Sequence, residues 1–144
     1  MGDDRTVFTL HGDGELQEGQ IWEAAMYAAH HRIDNIVSFV DCNGQQIDGP
    51  TEDVLSLGDL EAKWRAFGWR VLSCDGHDFA DLDRVIREAD AARGTGIPTV
   101  VLMRTAMGRG VDFMEGTHHW HGIAPNDEQL ATALAQLPET LGDF

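Results

Sequence analysis

One stretch, residues 11–19, constrains the fold of this chain more than any other. It reads His-Gly-Asp-Gly-Glu-Leu-Gln-Glu-Gly, with an apolar segment before it (6–10) and an amphipathic one after it (20–31). The pattern predicts a strand, a glycine-rich turn and a helix. Such a turn is an anion-binding corner, because free backbone amides and the helix dipole favour negative charge there. Glycine at 12 and 14 lets an anion approach the backbone closely.

A second polar group follows the next apolar segment, residues 35–40, where Asp41-Cys42-Asn43-Gly44 begins. Asp13 and Asn43 are separated by about one strand–helix–strand unit. A right-handed crossover places both at the carboxyl ends of neighbouring parallel strands. One carboxylate and one amide oxygen beside a phosphate corner suit Mg²⁺ or Ca²⁺.

Simpler interpretations of the same residues remain open. Gly-Asp-Gly also suits a hairpin turn, although the helical period that follows argues against one. Asp13 is compatible with an ordinary turn or helix cap. Asn43 is compatible with a left-handed turn before Gly44.

The rest of the chain alternates short apolar strands with helices, which predicts an α/β fold with an open, mostly parallel sheet and flanking helices. We expect one domain, residues 1–144. The strands are predicted at 7–10, 36–40, 69–73 and 99–103. A helix at 18–32 follows the first strand, and Ser56 is predicted to cap another at 57–67. Asp78 caps a third, with an apolar stripe of Phe79, Leu82, Val85, Ile86 and Ala89. Asn126 and Gln129 resemble a capping box that opens a last helix ending near 137.

Every unusual stretch follows a strand: residues 12–19, 41–49 and 104–122. Open parallel sheets bind ligands at the carboxyl ends of their strands, where the loops diverge. We therefore expect a single site at this edge.

The amino-acid composition limits which classes of partner this chain can bind. The 25 acidic residues against 10 basic ones give a formal charge of −15, which repels nucleic acid and anionic membranes and excludes both as expected partners. No apolar run approaches the ~20 residues that span a bilayer, and the first residues lack a secretory signal. Two cysteines outside any metal-type spacing fit free thiols in a reducing, cytoplasmic setting.

Gly12-Asp13-Gly14 followed by Asn43 resembles the diphosphate-binding signature of thiamine diphosphate enzymes. Further segments make the resemblance specific to transketolases: Gln-Glu-Gly at 17–19, Trp-Glu-Ala at 22–24 and Asn-Gly-Gln-Gln-Ile-Asp-Gly at 43–49. The chain is most similar to the N-terminal subunit of split transketolases, in which Trp-His-Gly is followed by Ala-Pro-Asn-Asp, here residues 124–127. The resemblance runs from residue 6 to the C-terminal Leu-Gly-Asp-Phe.

The resemblance implies thiamine diphosphate with Mg²⁺ (or Ca²⁺) as cofactors. The implied metal ligands are the Asp13 carboxylate, the Asn43 side-chain oxygen and the main-chain carbonyl of Gln45. Ile47 and Met107 correspond to positions that line the thiazolium ring, although a core role suits both nearly as well. The full set of implied cofactor-binding residues is Gly12, Asp13, Gly14, Glu15, Asn43, Gln45, Ile47, Met107, His118 and His121.

A glycine-rich loop at 106–122 carries three histidines, His118, His119 and His121. Zinc is an alternative, but no cysteine or carboxylate pattern accompanies them. By resemblance, His121 contacts the cofactor diphosphate and the substrate region, where an imidazole can donate to phosphate and move protons. His118 aligns less firmly. The histidines at 11, 30, 31 and 77 are expected to be surface or satisfied core residues.

Glu18 and Glu23 lie near the start of the first predicted helix. Carboxylates there stabilise the helix dipole by a few tenths of a kcal/mol. By resemblance they match transketolase glutamates at the subunit interface that help couple paired active sites, so with His121 they complete the candidate catalytic set.

The resemblance also implies missing parts. Transketolases have a substantial segment upstream of the first motif, a pyrimidine-binding half with the glutamate that activates the cofactor, and arginines for sugar phosphate. We therefore expect a hetero-oligomer in which a pyrimidine-binding chain and a chain with the upstream segment complete a transketolase. It would transfer a two-carbon ketol unit between sugar phosphates, as in the pentose phosphate pathway. The alternatives are another thiamine diphosphate enzyme, such as a deoxyxylulose-phosphate synthase or a dehydrogenase E1 component, and a non-catalytic assembly fragment.

Overall fold

A computed structural model describes residues 5–138 of the chain. These residues form six strands: β1 (Val7–Gly12), β2 (Ile36–Cys42), β3 (Gln45–Gln46), β4 (Gly49–Pro50), β5 (Arg70–Asp75) and β6 (Thr99–Arg104). At the centre is a four-stranded, all-parallel sheet in the order β1-β2-β6-β5. The α-helices are α1 (Gly19–His30), α2 (Thr51–Leu55), α3 (Leu60–Ala66), α4 (Phe79–Ala91) and α5 (Asp127–Gln136). Short 3₁₀ turns cover Gly14–Gln17 and His118–Trp120.

The two faces of the sheet carry separate apolar clusters, so the fold has three layers. One cluster packs α1 and α3 on the sheet and includes Leu16, Ala25, Val40, Trp64 and Trp69. Its indole Trp69 Nε1 donates to the carbonyl oxygen of Ala25 at 2.9 Å. The other packs α4 on the opposite face through Val37, Cys74, Val85, Ala89 and Val101. The predicted open parallel α/β sheet with flanking helices is confirmed.

Strand register aligns the carboxyl ends of the strands. Gly12 pairs with Asp41 across β1 and β2, and Arg104 pairs with both Cys42 and Asp75. The strands run two residues past the predicted ends of 10, 40 and 73, and one past 103, because the residues that follow the apolar runs still pair with a neighbouring strand. The three unusual stretches therefore leave the sheet at a common edge, as the sequence predicts.

The region between β2 and β5 differs from expectation. The prediction of one helix at 57–67 capped by Ser56 is wrong, because two helices, α2 and α3, lie in this region. Asp59 caps α3 by accepting the N–H of Ala62 at 2.9 Å. Ser56 instead accepts the N–H of Gly58, whose φ of +58° interrupts helical geometry. Residues 45–50 form a two-stranded antiparallel ribbon, β3–β4.

Other boundaries shift less. Asp78 caps α4, and the Asn126–Gln129 capping box opens α5 as predicted. Two residues of the predicted apolar stripe of α4 are exposed, Phe79 at 88% and Ile86 at 41%. The buried stripe consists of Val85 and Ala89, with Leu82 half-buried beside them. α1 begins at Gly19 rather than at Glu18, which is its N-cap. Residues 1–4 and 139–144, which the expected domain and the resemblance include, lie outside the described residues.

β1 forms an edge of the sheet, and its apolar side chains Val7, Phe8 and Leu10 are exposed, Leu10 at 70%. On α1, Met26 and Tyr27 are also exposed. Across residues 5–138 we find no helix with the length and apolar character needed to cross a membrane.

Candidate functional site

Asp13 is the centre of the candidate site. It follows β1 directly and is only 5% exposed. Its carboxylate accepts two backbone N–H groups, from Gly14 at 2.8 Å and from Gly44 at 2.7 Å. Its own N–H donates to the carbonyl oxygen of Asp41 at 3.0 Å. The carboxylate thus joins the ends of β1 and β2.

Burial is the largest influence on the Asp13 carboxyl, and it raises the pKa. The N–H groups of Gly44 and Gly14 act in the opposite direction, while the charge of Asp41 raises the pKa further. No positively charged side chain is among these influences. A buried carboxylate of this kind is stabilised by a cation, because removal from water disfavours its charged form.

Asn43, Gly44 and Gln45 form a tight turn beside Asp13. Asn43 Oδ1 accepts the N–H of Gln45 at 2.8 Å, and an amide oxygen keeps a second lone pair after one such bond. Gly44 has a φ of +72°, so the left-handed residue of this turn is Gly44 and not Asn43. The three predicted metal ligands, Asp13, Asn43 and Gln45, are therefore held together around the Gly44 amide.

The corner between β1 and α1 is organised by Glu15 and His11. Glu15 Oε1 lies 3.0 Å from His11 Nδ1, and Glu15 Oε2 accepts the N–H of Gly12 at 3.3 Å. These bonds, with that of His11 the larger, lower the pKa of Glu15. A Cβ on Gly14 would lie 2.5 Å from Cβ of Gln46, so only glycine fits between the turn and β3. In this structure the Glu15 carboxylate therefore stabilises the turn by bonding His11 and Gly12.

The second glycine-rich loop closes on itself. The N–H of Gly116 donates to the carbonyl oxygen of Met107 at 2.9 Å. Gly108 has a φ of +66°, and a Cβ there would lie 2.5 Å from the carbonyl oxygen of Met114. Trp120 Nε1 donates to Phe113 O at 2.9 Å, and the two rings pack 5.4 Å apart. Met107 is half-buried at the start of this loop.

A cleft of about 340 Å³ connects the two halves of the predicted site, since it is lined by Ile47 and His118 with His119, Gly122 and Ile123. Ile47 is 64% exposed, which argues against the core role considered for it. His121 is exposed, and its N–H donates to the carbonyl oxygen of His118 at 2.9 Å.

Glu18 and Glu23 lie on the exposed side of α1. Glu18 is the N-cap residue of α1, but its side chain makes no capping hydrogen bond. The structure thus brings Gly12, Asp13, Gly14, Glu15, Asn43 and Gln45 together, joins Ile47 to His118, and leaves both glutamates on the surface. Within residues 5–138 no three His, Cys, Asp or Glu side chains form a metal-binding group, and the predicted ligand set contains a single carboxylate.

No functional role was predicted for three residues at this edge of the sheet. The Thr105 hydroxyl donates to the Asp41 carboxylate, and the N–H of Ala106 donates to Nε2 of His77 at 2.8 Å. Asp41, Thr105 and His77 each lie within three residues of the end of a strand, which is the signal that could have identified them.

Comparison with known proteins adds independent information. Residues 3–139 match the family described as "Transketolase, thiamine diphosphate binding domain". The 6-deoxy-6-sulfo-D-fructose transketolase subunit SqwG of Clostridium sp. (strain MSTE9) is 43% identical over 132 residues, 92% of this chain and 47% of that protein. An apulose-4-phosphate transketolase subunit from Phocaeicola vulgatus is 38% identical over 96% of this chain and 48% of its own length. The chain spans about half the length of these relatives.

Solved transketolase structures are also similar to this chain. A transketolase from Campylobacter jejuni superposes with a TM-score of 0.83 at 29% identity, over 92% of this chain and 20% of that one. A transketolase from Pichia stipitis gives a TM-score of 0.82 at 31% identity, over 90% and 19%.

Proposed function

Because the chain belongs to the transketolase family, in its thiamine diphosphate binding domain, we propose that it holds the diphosphate and divalent metal of that cofactor in a transketolase. The observation that carries this proposal is the buried Asp13 carboxylate, bound to the Gly44 amide between Asn43 and Gln45. Within residues 5–138 no positive side chain pairs with this carboxylate. Together with the amide oxygen of Asn43 and the main-chain carbonyl of Gln45, it offers the donor chemistry of Mg²⁺ or Ca²⁺.

In this proposal the carboxylate of Asp13, the side-chain oxygen of Asn43 and the carbonyl oxygen of Gln45 hold Mg²⁺. The glycines at 12 and 14 keep side chains away from the diphosphate. Ile47 and Met107 provide apolar contact to the thiazolium, and the imidazoles of His118 and His121 donate to phosphate or substrate oxygens. When bound, thiamine diphosphate supplies the electron sink that two-carbon transfer requires.

The reaction proposed for the assembled enzyme is transfer of a two-carbon ketol unit between sugar phosphates. The names of two relatives support it, since they are subunits of a 6-deoxy-6-sulfo-D-fructose transketolase and of an apulose-4-phosphate transketolase. The role of Glu18 and Glu23 at a subunit interface belongs to the same proposal and is supported by their exposure on α1.

We propose that a partner chain with the pyrimidine-binding half completes the site as a hetero-oligomer. The relatives' names as subunits support this, as do the exposed apolar side chains of β1 and α1, since such patches mark interfaces. A reducing, cytoplasmic location is supported by the free cysteines Cys42 and Cys74.

The test compares the purified chain alone with the chain mixed with polypeptides that carry the other transketolase segments. Thiamine diphosphate binding is measured by calorimetry with Mg²⁺ and with excess chelator, and turnover is measured with a ketose phosphate donor or with pyruvate. We expect ketol transfer only in the mixture and binding only with metal. Robust turnover by the 144-residue chain alone would contradict the need for partners. A preference for pyruvate would favour the other enzyme classes, and binding without turnover by the complete mixture would indicate an assembly role.

A further inference from the structure

The segment that leaves β6 is held from both sides. On one side, the Thr105 hydroxyl donates to the carboxylate of Asp41 on β2. On the other, the N–H of Gly76, just after β5, donates to the carbonyl oxygen of Arg104 at 2.9 Å. The fit to Gly76 is tight, since a Cβ there would lie 2.5 Å from Cγ2 of Thr105. Residues 104–105 are therefore fixed between the ends of β2 and β5, the two strands that flank β6.

His77 holds the next residue of the segment, Ala106, by a further hydrogen bond. Its Nε2 accepts the N–H of Ala106 at 2.8 Å, so this nitrogen carries no proton and the ring holds its proton on Nδ1. The backbone of His77 is itself anchored, because its N–H donates to Asp75 Oδ1 at 2.9 Å. An exposed imidazole that bonds a backbone amide 29 residues away is a specific tertiary contact, not a solvated surface side chain.

Ala106 is the root of the loop that closes between Met107 and Gly116. That loop is tied by its own hydrogen bond and is bonded to α5 through Asp112 and Gln136. The chain joins this unit to the sheet at residue 106. Gly116 leads directly into Thr117, whose hydroxyl accepts the N–H of His119 and caps the turn His118–Trp120. Met107 and His118 therefore both depend on how residue 106 is held.

We propose that His77 is a positioning residue: its Nε2 lone pair fixes Ala106 and thereby places Met107 and the turn bearing His118 for the cofactor. It touches neither cofactor nor substrate. The link to the cofactor rests on the proposed function, whereas the anchoring of Ala106 does not.

The test compares two substitutions. His77→Gln keeps an acceptor oxygen three bonds from Cβ, as Nε2 is in histidine, and His77→Leu removes the acceptor. The first measurement is amide hydrogen exchange of the chain itself by NMR. We expect Ala106 to exchange about fivefold to tenfold faster in His77→Leu, as the loss of one hydrogen bond implies. Val101 within β6 should be unchanged, and His77→Gln should resemble the unsubstituted chain. His31→Leu controls for the loss of an exposed imidazole elsewhere.

The second measurement is the thiamine diphosphate dependence of turnover in the assembly with partner chains. For His77→Leu we expect a several-fold higher KM for the cofactor with kcat at saturation nearly unchanged, and rescue by His77→Gln. Unchanged exchange of Ala106 in His77→Leu would overturn the anchor. Faster exchange with an unchanged cofactor KM would overturn the positioning role. No cofactor binding by the unsubstituted assembly would overturn the proposed function and this role with it, while the exchange result would still decide the anchor.

Discussion

The carboxylate of Asp13 and the amide of Gly44 meet at 2.7 Å across the ends of two neighbouring strands. This bond makes the turn 43–45 part of the same unit as the turn after β1. Any change at Asp13 therefore affects both the charge of the candidate site and the geometry of the residues that accompany it.

We expect Asp13→Asn to abolish metal-dependent binding of thiamine diphosphate by the assembled enzyme. The substitution keeps the size of the side chain but removes the only formal charge among the predicted ligands. Changes that merely surround a metal site cost about 10-fold to 100-fold, so the loss of a charged ligand should cost at least about 100-fold. Calorimetry with and without Mg²⁺ measures it. Asp48→Asn, at an exposed position, is the charge-matched control, and equal cofactor affinity in both proteins would refute the metal assignment.

His121→Ala should lower turnover of the assembled enzyme by about a hundredfold if the imidazole donates to or exchanges protons with bound groups. Because His121 is exposed, its removal should change the free energy of unfolding by no more than about 0.5 kcal/mol. Steady-state kinetics and thermal unfolding measure the two effects. The neighbouring His119→Ala should have the smaller kinetic effect. Stoichiometric zinc that disappears with His121→Ala would instead support the zinc alternative.

Gly108 and Gly116 form a matched pair with positive φ, at +66° and +71°. A Cβ at 108 meets the carbonyl oxygen of Met114, whereas a Cβ at 116 has nothing within 4 Å. Gly116→Ala should therefore cost only the backbone strain, about 1 kcal/mol. Gly108→Ala should cost more and displace the loop. Chemical unfolding ranks the two, and equal losses would show that the contact with Met114 is unimportant.

The thiols of Cys42 and Cys74 should react slowly with alkylating reagents. Burial, with the charges of Asp13 and Asp41, raises the pKa of Cys42 to about 12, and burial also raises that of Cys74. Since the thiolate is the nucleophile, we expect little labelling by iodoacetamide at about pH 8 in the folded chain and complete labelling in urea. Intact mass measures both, and rapid labelling of the folded chain would contradict the expectation.

Asp81 should contribute to the acid sensitivity of the fold. The N–H of Asp75 and the side chain of Arg84 bond its carboxylate and hold its pKa below the ordinary value of 3.8. This stabilisation is fully present above the ordinary value and is lost as the pH falls through the lower, folded-state pKa. Asp81→Asn should therefore flatten the fall of Tm from about pH 5 downwards. Asp83→Asn removes a carboxylate that bonds the exposed Arg87, and it should flatten the fall of Tm less. Equal slopes for the two variants would contradict the role of the Asp75 bond.

The strands and the site edge were predictable because their signals are local and repeated. The apolar runs that form β1, β2 and β6 are each followed by glycine and polar residues. A parallel sheet brings the carboxyl ends of its strands to one edge. The resemblance supplied identities that spacing could not, such as the roles expected for Gln45 and Met107.

The remaining differences arose where two local signals compete. Ser56 and Asp59 are both good helix caps, and only the left-handed Gly58 between them decides that the helix starts at the second. Phe79 matches the apolar period of α4, but it lies at the first turn, beyond the reach of the sheet. The role of His77 depends on a contact with Ala106, and sequence distance hides such contacts.

The two inner strands of the sheet, β2 and β6, are separated in the chain by residues 43–98. During synthesis β2 therefore has β1 as its only strand partner until β6 has left the ribosome. The edge of β2 that carries Val37 and Val40, both fully packed in the finished fold, stays unpaired while residues 43–98 are synthesised. A nascent chain stalled before Arg104 would present this edge to chaperones or to other unfinished chains, since exposed strand edges are prone to such pairing.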